Sequence, residues 1–167
     1  MQVIVLIDRS GSMNGKQADV IGGFKTFLEE QRNLDAQLTL IQFDDKYEHL
    51  LTEHISTFPA SVIDNYKPRG GTALRDAIGK AINEATEKKV LFVVITDGEE
   101  NQSVEFSPSA LKALITEKED AGWKFIYMGA NQDSFTSAQD LGISKGMAVN
   151  YCAANTTATM RGLSYAS

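Results

Sequence analysis

The chain has 167 residues, 43% of them apolar, and its 16 Lys and Arg against 22 Asp and Glu leave a net charge of −6. That length suits a single domain spanning residues 1–167 and is enough to bury a self-sufficient core. The acidic balance argues against a nucleic-acid partner, whose affinity draws on clustered Lys and Arg, and the lone Cys152 excludes an internal disulfide or a four-thiolate zinc site.

No stretch reaches the about 18 consecutive apolar residues that a membrane span needs. The run Val3 to Ile7 is too short for a signal-peptide core and has no basic leader. These features lead us to expect a soluble, cytoplasmic protein that does not engage a membrane and is a monomer in isolation.

Val3 to Ile7 is a β-favouring run without polar alternation, the pattern of a strand covered on both faces. It ends in Asp8-Arg9-Ser10-Gly11-Ser12-Met13-Asn14-Gly15, which is loop chemistry. Val20, Ile21, Phe24, Phe27 and Leu28 then share one helical face while Lys25, Glu29 and Glu30 turn to water. Gln37 to Phe43 reads as a second strand, with Tyr47 to Ile55 as its hairpin partner across Asp44-Asp45-Lys46.

Lys67-Pro68-Arg69-Gly70-Gly71-Thr72 is a second punctuated loop, and it leads into a helix burying Leu74, Ile78, Ala81, Ile82 and Ala85. Val90 to Ile95 is the most uniformly apolar run and therefore the expected central strand, ending in Thr96-Asp97-Gly98. Ser107-Pro108 is an N-cap followed by proline at the first helical position. The remaining expectations are a strand over Trp123 to Met128, a short helix around Ser134 to Leu141, a strand near Met147 to Tyr151 and a terminal helix from about Thr156. Strands alternating with helical patterns give an α/β, doubly wound, mostly parallel sheet between helices.

In such a sheet the ligand site lies beyond the carboxyl ends of the strands, where strand order reverses. If the first and fourth strands are neighbours, Asp8 and Asp97 emerge side by side, and the Gly70-Gly71 pair permits the tight backbone that brings the Thr72 hydroxyl over the same point. Two carboxylates (Asp8, Asp97) and three hydroxyls (Ser10, Ser12, Thr72) form an all-oxygen set suited to a hard divalent cation. A shell rich in neutral hydroxyls favours an added anionic ligand from outside.

Asp8-x-Ser10-x-Ser12, Thr72 after Gly70-Gly71, and Asp97 within Ile95-Thr96-Asp97-Gly98 resemble the metal-ion-dependent adhesion site of von Willebrand factor type A domains. Leu6-Ile7-Asp8-Arg9-Ser10-Gly11-Ser12-Met13, Gly22-Gly23-Phe24, Phe43-Asp44-Asp45 and Thr96-Asp97-Gly98-Glu99-Glu100-Asn101 make the chain similar to small stand-alone bacterial and phage members of that family. The resemblance implies a Rossmann-like, six-stranded sheet of order 3-2-1-4-5-6 with one antiparallel edge strand. It also implies a Mg²⁺ or Mn²⁺ site, with Ca²⁺ a weaker candidate, that captures an Asp or Glu carboxylate of a partner protein. Location would then be the bacterial cytoplasm, or the host cytoplasm for a phage protein.

Two other function classes remain open at this stage. One is a Mg²⁺-dependent hydrolase or phosphotransferase, although Ser10 stands two positions after Asp8 where that chemistry usually adds an acid. The other is a structural component of a phage or bacterial assembly. Among the remaining residues, Asp44, Asp45, Glu99, Glu100, Asn101 and Asn131 read as solvated loop groups, Asp64 and Asp76 as surface charges, and Arg9 and Met13 as flanks that could touch a partner. His49 and His54 point to opposite faces of an edge strand and make a poor metal pair.

Overall fold

In a computed structural model, residues 1–96, 102–129, 134–143 and 147–150 are described. The strands are β1 (Gln2–Asp8), β2 (Gln37–Phe43), β3 (Tyr47–His54), β4 (Val90–Thr96), β5 (Lys124–Gly129) and β6 (Met147–Asn150), and the α-helices are α1 (Gln17–Glu30), α2 (Leu74–Glu84), α3 (Pro108–Asp120) and α4 (Ser134–Leu141). Short 3-10 turns occupy Gly11–Met13 and Ala60–Asn65. The second of these had no clear signature in the sequence. Asp97 to Asn101, Asn131, Cys152 and the terminal helix expected from Thr156 lie outside the described residues.

The body of the sheet runs β3-β2-β1-β4-β5, and β6 pairs parallel to β5 at its edge. β1 lies parallel to both β2 and β4, whereas β3 returns antiparallel to β2, which makes the sheet mixed and mostly parallel as expected. Because β1 is flanked by β2 on one side and β4 on the other, strand order reverses beside it. The carboxyl ends of β1 and β4 therefore open the crevice in which such sheets bind ligands.

Alternation along the strands divides the core. Val3, Val5 and Ile7 of β1, with Leu91, Val93 and Ile95 of β4, pack against Val20, Phe24, Phe27 and Leu28 of α1. Ile4, Leu6, Phe92 and Val94 face the other way, onto Leu74, Ile78, Ala81 and Ile82 of α2 and Leu111 and Ile115 of α3. A strand covered on both faces has no solvated side, which is why β4 is buried at all seven positions and reads as an unbroken apolar run. Ser107 caps α3 as its sequence promised, its hydroxyl accepting the Ala110 amide at 3.1 Å with Pro108 in the first turn. Among the described residues no helix is long and apolar enough to cross a membrane.

Phe92 lies fully buried on the central strand, whereas Val104 is 90% exposed. Phe92→Ala is expected to cost about 3–5 kcal/mol in urea unfolding, and Val104→Ala to stay within about 0.5 kcal/mol. A loss below about 1 kcal/mol for Phe92→Ala would contradict the two-sided core.

Candidate functional site

β1 carries Asp8 to the point where strand order reverses, and its side chain is fully buried. A carboxylate can stay charged out of water only if donors or cations surround it. Oδ1 accepts the Ser10 backbone amide at 2.7 Å, and Oδ2 accepts the Thr96 hydroxyl at 2.7 Å. Thr96 ends the neighbouring parallel strand, one position past the Ile7–Ile95 pair, so sheet register alone sets it beside Asp8. Sequence reasoning missed this role, although a hydroxyl at the register position across from a buried acid is a usable signal.

Beyond Asp8 the chain turns tightly. Met13 donates its amide to the Ser10 carbonyl at 2.9 Å and buries its side chain in the core beneath α1, pinning the loop from below. The Ser10 and Ser12 hydroxyl oxygens stand 2.9 Å apart. Adjacent ligands on a Mg²⁺ octahedron with bonds of about 2.0–2.1 Å are separated by about 2.9 Å. The two hydroxyls, held together by a hydrogen bond, stand at a separation that also matches one octahedral edge.

The loop that carries Thr72 is stitched to this one through the backbone. Arg69 donates its amide to the Arg9 carbonyl at 2.6 Å, Gly11 to the Gly70 carbonyl at 3.0 Å, and Ala73 to the Asp44 carbonyl at 2.9 Å. Gly70 has φ +72, a backbone shape that favours glycine, and a Cβ there would sit tightly, 3.0 Å from Asp45 Oδ1 and 3.3 Å from Asp44 Oδ2. Thr72 follows, fully buried.

Asp44 corrects the reading of a solvated turn acid. It is 2% exposed and binds three neighbouring segments together. Oδ1 accepts the Lys46 amide at 2.7 Å, while Oδ2 accepts Arg69 Nε at 3.0 Å and lies 3.5 Å from Arg9 Nε. Arg9 continues to Glu48 Oε2 at 2.9 Å and Gln42 Oε1 at 3.3 Å. Arg9 and Met13 are therefore buried framework rather than partner-facing flanks. Tyr66 adds a further tie, donating its hydroxyl to the Asp8 carbonyl.

The structure thus joins Asp8, Ser10 and Ser12 to the Thr72 loop at the expected end of the sheet. Asp97, the fifth residue of the set, is outside the described residues. Among the described residues no group of three His, Cys, Asp or Glu side chains could hold a metal. His49 and His54 are engaged elsewhere, with Thr52 and with Asp35 and Ser56. On the rim, Tyr47 donates to Glu84 Oε1 at 2.7 Å, and burial first, then that carboxylate, pushes its phenol well above the ordinary tyrosine range.

A family model described as the von Willebrand factor type A domain matches residues 3–100. No curated protein matches the sequence. Among solved structures, the conserved hypothetical protein BatB from Bacteroides thetaiotaomicron superposes with TM-score 0.74 at 17% identity, covering 99% of this chain and 96% of that one. The von Willebrand factor domain of the type V pili tip protein Mfa5 from Porphyromonas gingivalis gives 0.74 at 12% identity, covering 99% and 94%. The pilus adhesin SpaC from Lactobacillus rhamnosus GG gives 0.73 at 16% identity, covering 99% of this chain but only 30% of the adhesin. At these identities the likeness is one of fold.

Removing Asp44 takes the acceptor from the Lys46 amide and one of two carboxylates from the buried Arg9, which keeps Glu48 and Gln42, whereas Arg69 is 58% exposed and can be solvated. Asp44→Ala is expected to destabilise by about 1–3 kcal/mol in chemical unfolding, and Arg69→Ala by less than about 1 kcal/mol. Equal small effects would show that Asp44 is not the hub of these loops.

Proposed function

Because the chain belongs to the von Willebrand factor type A domain family, we propose that it is a protein-interaction module in which Mg²⁺ or Mn²⁺ captures an Asp or Glu carboxylate of a partner protein. Asp8, Ser10, Ser12, Thr72 and Asp97 would hold the cation. The observation that carries this reading is the buried Asp8 carboxylate, bonded to the backbone of the loop that pairs the Ser10 and Ser12 hydroxyls 2.9 Å apart, at the point where strand order reverses. When bound, the cation would supply a Lewis-acidic position open to an outside oxygen. The pilus adhesin and pilus tip protein among the structural neighbours support an interaction role.

The chain's own residues perform the rest. Ser10 N–H and Thr96 hydroxyl aim the Asp8 carboxylate, and the Gly11–Gly70 hydrogen bond fixes the serine loop against the threonine loop. With only two carboxylates in the set, a divalent cation would be neutralised but not overcompensated, so an open coordination position could still accept a partner's anionic oxygen. Ser10 stands where phosphoryl transfer would want a second acid, so we read the chain as a binding module rather than an enzyme. The single cysteine supports a reducing, cytoplasmic setting.

A cation at about 100 times its Kd adds about 2.7 kcal/mol to stability, which for a domain of this size raises Tm by about 5–10 °C. Scanning calorimetry with Mg²⁺ or Mn²⁺ should show that rise in the wild type and none in Asp8→Ala. An identical, cation-independent Tm in both proteins would overturn the metal reading.

A further inference from the structure

Asp76 reads from sequence as a surface charge on α2, yet its carboxylate is the hub of a latch. Oδ1 accepts the backbone amides of Glu105 at 3.0 Å and Phe106 at 2.8 Å, and Oδ2 accepts that of Val104 at 2.7 Å. The latch is reciprocal. The Asp76 amide donates to Ser103 Oγ at 3.0 Å, and Arg75 Nε donates to the Phe106 carbonyl at 2.9 Å. Phe106 lies on Gly79 so closely that a Cβ there would stand 2.4 Å from its ring.

Apolar burial does not hold residues 102–105 down: Gln102, Val104 and Glu105 are exposed and Ser103 is half-buried. Three amides converging on one carboxylate supply what the missing core contacts do not, and the first turn of a helix is where a negative charge is further stabilised by the helix dipole. The clamped segment in turn reaches the candidate site, since the Gln102 amide donates to the Thr72 carbonyl at 3.0 Å. Thr72 is therefore gripped from outside by a strap whose other end is tied to Asp76, four residues further along the chain.

We propose that Asp76 is a positioning residue for the candidate metal site, holding the 102–106 strap so that the Gln102 amide fixes Thr72 for coordination. The inference rests on the function proposed above. Groups bonded directly to a ligand alter metal affinity by about 10–100-fold when removed, so Asp76, acting one link further out, is expected at the lower end of that range.

The test pairs Mn²⁺ titration calorimetry with amide hydrogen exchange of the metal-free protein, on wild type, Asp76→Ala, Asp76→Asn and the charge-matched surface control Asp64→Asn. The expected result for Asp76→Ala is Mn²⁺ binding about 10-fold weaker. It should also lose protection at Val104, Glu105 and Phe106 while Val5 and Val93 in the central strands stay protected. Asp76→Asn, which keeps an acceptor, should fall between, and Asp64→Asn should match the wild type. A role in stability alone would lower protection everywhere and leave the affinity of the folded protein unchanged. Should Asp76→Ala not fold, Gly79→Ala, which displaces Phe106 without touching a charge, must show the same paired loss. Freed 104–106 amides with wild-type Mn²⁺ affinity would overturn the positioning role alone. Absence of Mn²⁺ binding by the wild type would overturn the metal reading, and this proposal with it.

Discussion

The site depends on one costly placement, the Asp8 carboxylate held out of water at the end of a strand covered on both faces. Burying a charge is unfavourable by several kcal/mol unless donors or cations meet it. Two short hydrogen bonds, from Ser10 N–H and Thr96 Oγ, meet Asp8 from its own loop and from the adjacent strand. Parallel pairing of β1 with β4 puts the Thr96 donor there, so the sheet itself orients the acid. Strand order reverses at this point, where sheets of this type bind their ligands.

A second constraint is that two arginines stand near an acid-rich surface without quenching Asp8. Asp44 takes both of them, receiving Arg69 Nε and lying against Arg9, whose far side goes to Glu48 and Gln42. Their positive charge is thereby spent on locking the β2–β3 turn to the serine and threonine loops. The framework around Asp8 is internally compensated. The net charge of −6 is thus divided between framework and site rather than spread evenly.

The fold was legible wherever burial imposes periodicity. The apolar runs of β1 and β4, the stripe on α1 and the Ser107-Pro108 start of α3 all lie where pattern and capping chemistry placed them. That the loops of Asp8 and Thr72 would meet was legible because both are short, punctuated by glycine and placed at the ends of neighbouring elements. The roles of Asp44, Thr96 and Asp76 were not. Each acts on a group 25 or more residues away in the chain, through backbone amides or register that no local window contains. Arg9 and Met13 misled for a related reason, since a loop position suggests exposure and only tertiary packing reveals that both are buried.

The central claim, that these loops form one cation site, is tested most directly by paramagnetic broadening of amide resonances in a Mn²⁺ titration of the isotope-labelled protein. The account requires the first signals lost at substoichiometric Mn²⁺ to be those of residues adjoining Asp8, Ser10, Ser12 and Thr72, with the His49 and His54 region unaffected. Broadening that begins instead at scattered surface acids such as Glu29, Glu53 and Asp64, with the Asp8 loop among the last to respond, would contradict it.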